Sequence, residues 1–378
     1  MSTIQTNAIV DAAGGNTATV NGVTPDSNTV RGRNLIINGA MNVWQRGTSF
    51  TGVAAGAYHT DRFQSYNNSN ASGESTISKS TDTPDGFGSS YKLQVTTADT
   101  SLHSTAEYNL YYKVEGQDLQ GLKKGTSDAK SLTASFWVKS SVIGTFVVEL
   151  MDNDNSNRHI SKSYTIDAAN TWEYKTITFE GDTVGTLDND NNNSFHIAWW
   201  LGGGAGRTGG TLQTSWGALN QANRAVGQTN VHATVNNTWQ ITGLQLEVGS
   251  VATDFEHKTH AEELAACQRY YERIEAGASA SYVGFSAGTI YGSGTYLGHF
   301  TSSVPMRVTP TFSTNAYDNA SRMSVVSGAN TYDVTSIAVT GINQRLRINA
   351  SGALSDIIGQ GAYLQVQNGY HVAFTAEL

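Results

Sequence analysis

Short segments in which apolar and polar residues alternate constrain the fold of this chain more than any other feature. In residues 132–139, the side chains of one set, from Leu132 to Val138, face one side, while a second set that includes Trp137 and Lys139 faces the other. Such patterns, broken by Gly, Asn and Asp turns, are typical of antiparallel sheets. Eight or more strands over about 220 residues predict a two-sheet jelly roll. The strands are predicted at 91–97, 107–115, 132–139, 145–151, 159–165, 172–179, 195–201 and 240–248.

One predicted helix separates this region from a second β region. Thr259 followed by Glu262 is a capping-box signature, and apolar residues from Leu264 to Ile274, including Cys267, recur at helical spacing. Beyond it, strands are predicted at 281–285, 296–300, 311–313, 323–326, 334–339, 345–348, 363–366 and 371–376. The predicted class is therefore mainly β: a jelly-roll sandwich plus a smaller C-terminal β-sandwich, joined by one short helix.

Composition narrows the classes of function. The chain has 378 residues, enough for two ordinary domains, and carries a net charge of −8 without a basic run, which disfavours nucleic-acid binding. Its single cysteine, Cys267, leaves no internal disulfide. No apolar run approaches the ~18 residues that span a bilayer, so membrane insertion is not expected. The first residues lack the charged and apolar regions of a signal peptide.

Several ordered motifs resemble those of a known family. Residues 34–48 read NLIINGAMNVWQRGT and residues 58–63 read YHTDRF, while residues 239–250 read WQITGLQLEVGS and residues 267–271 read CQRYY. Together they resemble the opening and closing strands of a β-sandwich module common in phage and prophage tail-fibre proteins. The jelly roll of that module is similar to carbohydrate-binding modules. The resemblance covers roughly residues 32 to 275. The run at 304–312 and the ending at 374–378 also resemble fibre C-terminal domains.

The resemblance implies an organisation and a role. Residues 1–31 would attach the protein to other virion proteins, 32–256 would form the jelly roll, 257–278 a helical linker, and 279–378 a C-terminal β domain at the receptor-binding tip. The implied protein is a homotrimeric, non-enzymatic virion fibre, assembled in the host cytoplasm, that binds host surface polysaccharide. One alternative is a purely structural virion component, such as a capsid-decorating or neck fibre or an adaptor. For residues 1–31 a flexible leader is the other interpretation.

Aromatic residues are the candidates for glycan binding, because sugars stack their apolar faces on such rings. Trp137 lies on the polar side of its predicted strand, and Trp199 and Trp200 must point to opposite faces of theirs, so one of that pair lies off the core. The alternative is that these rings pack against the leader, the helix or a neighbouring subunit. The full set of candidates is Trp137, Trp199, Trp200, Trp216, Tyr282, Tyr291 and Tyr296.

Two acidic loops, residues 152–156 and 188–193, alternate Asp with Asn or Ser. Oxygen ligands at such positions suit Ca²⁺, but neither loop has the Gly and Glu of an EF-hand. Because Asn and Asp are also common in plain turns, two interpretations stay open: a calcium site, or polar turns without any cofactor. The candidate ligands are Asp152, Asp154, Asp188 and Asp190.

An enzymatic role is not predicted. Glycoside hydrolysis needs two carboxylates about 5–9.5 Å apart across a cleft. Glu107, Glu115 and Glu247 are the carboxylates considered for it, and Glu247 lies at a strand end where structure explains it equally well. The sequence has no P-loop.

Overall fold

The computed structural model describes residues 32–52, 56–275, 282–291, 295–314, 323–341, 343–352, 354, 358–367 and 370–378. The predicted attachment segment, residues 1–31, lies outside the described residues. By its internal contacts the chain divides into two units. Unit 1 takes the described residues up to Asn42 together with Ser49–Tyr58 and Phe63–Lys258, and unit 2 takes Val43–Thr48, His59–Arg62 and Thr259–Leu378. Within the described ranges, no helix is long and apolar enough to cross a membrane.

Unit 1 is built from two six-stranded antiparallel sheets. Its strands are β1 Ser49–Phe50, β2 Ala57–Tyr58, β3 Phe63–Asn67, β4 Glu74–Ser80, β5 Ser90–Thr97, β6 Glu107–Glu115, β7 Leu132–Ser140, β8 Gly144–Asp152, β9 Arg158–Ile166, β10 Glu173–Phe179, β11 Asn193–Gly203 and β12 Thr238–Val248. The first sheet has the order β1-β4-β5-β12-β7-β10, and the second has the order β2-β3-β6-β11-β8-β9. One short helix, α1 (Ala205–Thr208), follows β11, and 3₁₀ turns occupy Gly116–Leu122, Gln221–Asn223 and Val231–Ala233.

The two sheets of unit 1 pack their apolar faces together. The ring of Phe136 in the first sheet lies 6.0 Å from Trp199 and 5.2 Å from Tyr164, both in the second sheet. The hydroxyls of Ser65 and Tyr91 also join the sheets at 2.7 Å. The predicted jelly-roll class is confirmed, and the eight predicted strands match β5 to β12 to within two residues at each end. Strands β1 to β4 are absent from the sequence prediction.

Strand β12 carries a bulge that the N-terminal motif fills. Its register against β7 shifts at residues 242–245. There Asn34 donates from Nδ2 to the Leu244 carbonyl at 2.9 Å and accepts the Leu246 N–H at 3.0 Å, while Leu244 N–H donates to the Gly39 carbonyl at 3.0 Å. All of these residues are buried, and the N–H and carbonyl of Leu244, which lacks a partner on β7, both have hydrogen-bond partners.

Unit 2 combines a closed barrel with a three-stranded sheet. Its elements are α2 His260–Gln268, β13 Tyr271–Glu275, β14 Tyr282–Tyr291, β15 Thr295–Met306, β16 Thr311–Thr314, β17 Met323–Ser327, β18 Asn330–Thr340, β19 Asn343–Gly352, β20 Gly361–Gln367 and β21 His371–Thr375. The barrel closes in the order β14-β15-β19-β18-β17-β20, and the small sheet has the order β13-β21-β16. Phe300 and Phe374 stack at 4.5 Å within the apolar core of this unit. Each of the eight C-terminal strand predictions overlaps one of these strands. Six of them close into a barrel where a sandwich was expected, and the predictions at 311–313 and 371–376 match β16 and β21 of the small sheet.

The helix is shorter than the spacing of apolar residues predicts. The capping box is confirmed, because Thr259 and Glu262 exchange side-chain to backbone hydrogen bonds. The helix ends at Gln268, however, and Tyr271 and Ile274 lie in β13, where they pair with β21. The prediction of helix up to Ile274 is wrong because the ladder hydrogen bonds to a distant strand outweigh a local pattern of apolar spacing.

Two short segments inside the predicted range 32–256 belong to unit 2. Arg46 lies 3.0 Å from Glu377, and Arg62 lies 2.7 Å from the same carboxylate. The two guanidinium groups also cover aromatic rings, Arg46 over Tyr271 at 3.6 Å and Arg62 over Tyr270 at 3.4 Å. The motifs WQRG, HTDR and CQRYY therefore meet near the end of the chain in a buried set of ion pairs and cation–π contacts.

The close approach at the bulge gives a test of this packing. A Cβ at Gly39 would lie 2.1 Å from the Leu244 carbonyl oxygen, which is backbone and cannot rotate away. We expect Gly39→Ala to lower the free energy of unfolding by about 2 kcal/mol, as overpacking does. Gly121→Ala is the matched control, since nothing lies within 4 Å of its Cβ position. Urea denaturation of both variants measures the difference, and equal stability would contradict the described approach.

Candidate functional site

An aromatic band runs across the outward face of the first sheet of unit 1. It consists of Tyr174, Trp137, Phe87, Phe255 and His257. The rings of Tyr174 and Trp137 lie 5.3 Å apart on paired positions of β10 and β7. Phe87 lies 5.1 Å from Phe255 and 5.3 Å from His257. Tyr174 is 44% exposed and Trp137 is half-buried, so the band presents ring surface to solvent.

Gly243 joins the two halves of the band. This residue lies in the β12 bulge with φ +63°, and a Cβ there would lie 2.7 Å from Cζ of Phe87 and 3.2 Å from Cδ1 of Trp137. The absence of a side chain therefore lets both rings rest on the same point of the backbone. The bulge fixes the conformation of Gly243, and the bulge in turn depends on Asn34.

A polar group flanks the band, with Asp82 at its centre. The Asp82 carboxylate accepts hydrogen bonds from Lys139 Nζ at 2.7 Å, Trp172 Nε1 at 3.0 Å and Gln240 Nε2 at 3.2 Å. Trp172 and Lys139 each lie two residues from a ring of the Tyr174–Trp137 pair and share its face. The Lys139 ammonium also stands 6.0 Å from the Trp172 ring. We call Asp82, Lys139, Trp172 and Gln240 the Asp82 hub.

The electrostatics of the hub favour a charged acceptor. Partial burial acts to raise the pKa of Asp82, but the hydrogen bonds from Lys139, Trp172 and Gln240 outweigh it and lower that pKa below its usual value. Asp82 is therefore ionised at neutral pH, and 46% of its side chain is exposed. An exposed carboxylate beside aromatic rings can accept hydrogen bonds from the hydroxyls of a ligand that stacks on those rings.

Two of the predicted glycan-binding tryptophans are fully buried. Trp199 faces the core between the sheets, as its contact with Phe136 shows. Trp200 points to the opposite face, as predicted, but Ala225 and Val147 pack around it, and its Nε1 donates to Glu149 at 3.2 Å. The prediction that one of the pair is available to a ligand is therefore wrong, because the segment after β11 covers the outer face of the second sheet.

The remaining predicted aromatic residues divide by exposure. Trp216 is partly buried, donates from Nε1 to the Glu180 carbonyl at 2.7 Å and packs 5.5 Å from Phe195. In unit 2, Tyr282 and Tyr291 are exposed, whereas Tyr296 is fully buried in the barrel core. The Tyr296 hydroxyl is 3.0 Å from that of Ser286 inside the barrel. Tyr296 is therefore not available to a ligand, and its prediction as a binding residue is wrong.

The four aspartates predicted as calcium ligands do not form one site. Asp152 forms an ion pair with Lys124, while Asp154 accepts the backbone N–H of Asp188 at 2.9 Å. Asp190 accepts the backbone N–H of Asn192, two residues along its own loop. Among the described residues, no three His, Cys, Asp or Glu side chains are grouped to hold a metal ion. The two loops touch each other, as a shared site requires, but their carboxylates are occupied separately.

Sequence reasoning identified one member of the aromatic band as a site residue, Trp137. The alternation in β10 carries a signal for Tyr174 of the band and for Trp172 of the Asp82 hub, because Ile177 and Phe179 are buried and the alternate positions therefore lie on the outward face. Phe87 lies in the turn between β4 and β5, where no periodic pattern predicts the direction of a side chain. Its place in the band depends on Gly243, more than 150 residues away.

Comparisons with known proteins assign no family. No family model and no curated protein sequence matches the chain. Among solved structures, the enzymatically active domain of bacteriophage CBA120 tailspike protein 4 is similar over 57% of this chain and 21% of that chain, with 13% identity and a TM-score of 0.30. A family 11 carbohydrate-binding module from Clostridium thermocellum, in complex with a β-1,3-1,4-mixed-linked tetrasaccharide, is similar over 56% of this chain and 98% of its own, with 14% identity and a TM-score of 0.27. The module TmCBM61, in complex with β-1,4-galactotriose, has 10% identity, a TM-score of 0.29, and coverage of 57% and 99%. At these values the similarities assign no function to this chain.

The joint between the two halves of the band is testable at Gly243. We expect Gly243→Ala to displace the Phe87 and Trp137 rings, because the new methyl group would meet both. Gly52→Ala is the matched control: its φ of +61° imposes the same backbone strain, and nothing lies within 4 Å of its Cβ position. Near-ultraviolet circular dichroism should change for Gly243→Ala and not for Gly52→Ala. Identical aromatic spectra for both variants would contradict the described contact.

Proposed function

We propose that this chain is a non-enzymatic component of a phage virion fibre and that its aromatic band binds host surface polysaccharide. The observation that carries the proposal is the exposed Tyr174–Trp137 ring pair beside the Asp82 hub. A pyranose ring presents a face of C–H groups that stacks on aromatic rings, and its hydroxyls then need hydrogen-bonding partners at the rim. The band supplies the first requirement, and the hub supplies the second.

The openness of the face favours a polymer over a free small molecule. The band lies on the outward surface of a sheet, and a flat surface buries one side of a ligand, whereas small-molecule sites are concave and bury most of it. A polysaccharide lying along the sheet gains contacts from several sugar units. The affinity of one site of this kind is modest, and several copies in one particle strengthen attachment.

The environment of the glutamates supports a non-enzymatic role. Glu107 pairs with Arg207 and Arg224, and Glu115 is buried and accepts a hydrogen bond from Gln117 at 2.6 Å. Glu247 accepts two hydrogen bonds from Thr253, at 2.9 and 2.7 Å. Each of these carboxylates serves an internal contact, and none of the three lies on the aromatic band.

The virion assignment rests on the sequence resemblance to tail-fibre proteins. Its motifs also have structural roles, since Asn34 and Gly39 fill the β12 bulge while Arg46 and Arg62 bind Glu377. A homotrimer follows from the same resemblance. It suits a chain whose single cysteine, Cys267, is buried and unpaired, because stability must then come from packing and association.

The saccharide site is testable by removing the ring pair. We expect Trp137→Ala and Tyr174→Ala each to weaken binding about tenfold, because each removes one stacking surface. The measurement is affinity electrophoresis of the full chain through gels that contain purified β-glucans, galactans, mannans or bacterial capsular polysaccharides. Ile358→Ala is the control, since it removes a 54% exposed apolar side chain from the other unit.

Two outcomes would contradict this site assignment. Retardation of wild type and both variants to the same extent would move saccharide binding away from the band. Absence of retardation by any polysaccharide in the panel would favour the structural alternative, a fibre or adaptor without a ligand site. Circular dichroism of each variant first establishes that the fold is intact.

The oligomeric state tests the fibre assignment separately. Sedimentation equilibrium of the full chain should give three times the chain mass of 40.4 kDa. We expect the Trp137→Ala variant to give the same mass, because the band is assigned to ligand binding alone. A monomer at micromolar concentration would argue against a trimeric fibre and would leave the saccharide site untouched.

A further inference from the structure

A row of exposed side chains crosses the outer surface of the barrel in unit 2. Tyr363 on β20 pairs with Ala287 on β14, Ala287 pairs with His299 on β15, and His299 pairs with Arg347 on β19. All four residues are exposed, whereas their neighbours along each strand are buried or, at Gly288, half-buried. We call Tyr363, Ala287, His299 and Arg347 the arginine row.

The row has the shape of a shallow saccharide subsite. Directly opposed residues of neighbouring strands have Cβ atoms about 5 Å apart, so Tyr363 and His299 stand roughly 10 Å apart with a methyl group between them. Tyr363 is 43% exposed. Its ring lies beside Gly284, where a Cβ would be 3.3 Å from Cδ2. The gap over Ala287 is wide enough for one sugar ring.

Charge distinguishes this row from the aromatic band. The described strands of the barrel contain one acidic residue, Asp333, which lies opposite Ser324 in the ladder between β18 and β17. Asp333 lies seven residues along β18 from Thr340, the partner of Arg347, and at about 3.3 Å per residue this is roughly 23 Å. That distance exceeds the ~8 Å Debye length of physiological salt. Within the described part of the barrel, Arg347 therefore keeps its charge available although the whole chain is acidic.

We infer that the arginine row binds a saccharide chain that bears carboxylates, of the uronic-acid type. The planar guanidinium group of Arg347 matches a carboxylate in bidentate geometry. Tyr363 and His299 offer ring surface at the spacing of a neighbouring sugar, and a uronic acid combines the ring and the carboxylate in one unit. This site extends the proposed function, because it adds a second saccharide class on a different unit and does not depend on the aromatic band.

The probe is an oligogalacturonate of defined length, compared with its fully methyl-esterified form, which has the same backbone without the charge. Isothermal titration calorimetry of the full chain should show binding of the acid and at least about tenfold weaker binding of the ester. Arg347→Ala should weaken binding of the acid about tenfold, and Arg347→Lys should fall between wild type and the alanine variant. Tyr363→Ala should weaken binding of both forms.

Two controls separate this site from net charge and from the aromatic band. Lys123→Ala removes an exposed cation from unit 1 and should leave binding of the oligogalacturonate unchanged. The preference for the acid over the ester is measured in wild type, Trp137→Ala and Arg347→Ala, and only Arg347→Ala should remove that preference, so a failure of the aromatic band and a failure of the arginine row give different results. Circular dichroism checks the fold of each variant.

Several results would overturn the inference. Equal affinity for the acid and the ester would show that the charge of Arg347 is not used. A loss with Lys123→Ala as large as that with Arg347→Ala would reduce the effect to general electrostatics. Displacement of the oligogalacturonate by equimolar inorganic phosphate would assign the row to phosphate groups, and no binding of the acid by wild type would remove the uronate class altogether.

Discussion

The hydrogen bonds between Asn34 and the bulge of β12 are the interaction on which the jelly roll depends. A bulge removes backbone groups from the ladder, and a buried unpaired N–H or carbonyl costs about 1–3 kcal/mol. The Asn34 side chain pairs one group of each kind: its amide donates to the Leu244 carbonyl, and its side-chain carbonyl accepts from the Leu246 N–H. Gly39 completes the set by accepting from Leu244 through its own backbone. The motifs at 34–48 and 239–250, about 200 residues apart, are thus joined by hydrogen bonds, and each supplies partners for buried polar groups of the other.

The same bulge connects the interior of unit 1 to its surface. Its inner side, at Leu244, is buried and pinned by the N-terminal motif. Its outer side, at Gly243, carries the Phe87 and Trp137 rings. A regular strand would place a side chain at this position and separate the rings. The β12 bulge therefore has two roles. On its buried side it is held by the N-terminal motif, and on its outward side Gly243 lets the aromatic rings form a continuous surface. This is a physical reason for a candidate site at this point of the sheet.

The sequence predicted properties that depend on neighbouring residues, and it failed for properties that depend on distant segments of the chain. The alternation in residues 132–139 placed β7 and assigned Trp137 to its outward face, because side-chain direction in a strand is a local property. Trp200 shows the limit: its direction was predicted correctly, but its burial depends on Ala225 and Glu149, which distant segments supply. The predicted helix was too long for the same reason, because Tyr271 pairs with the distant strand β21. The alternation in β10 also indicates the outward direction of Tyr174, whereas the position of Phe87 depends on its contact with Gly243 in the folded sheet.

In the acidic loop at Asp152, a lysine side chain lies where the sequence analysis considered a calcium ion. Lys124 Nζ forms an ion pair with Asp152 and lies 3.1 Å from Asp182. It also donates hydrogen bonds to the Val184 and Gly185 carbonyls at 2.9 Å each. Carboxylate and carbonyl oxygens of this kind are also the ligands that Ca²⁺ prefers. Arg158 also binds Asp182, at 2.9 Å, so two cationic side chains balance two carboxylates. A Ca²⁺ ion at Asp152 would have to displace the buried ammonium group and leave it unpaired, which costs several kcal/mol. In this structure the Lys124 ammonium group lies beside Asp152, where the sequence analysis considered a Ca²⁺ ion.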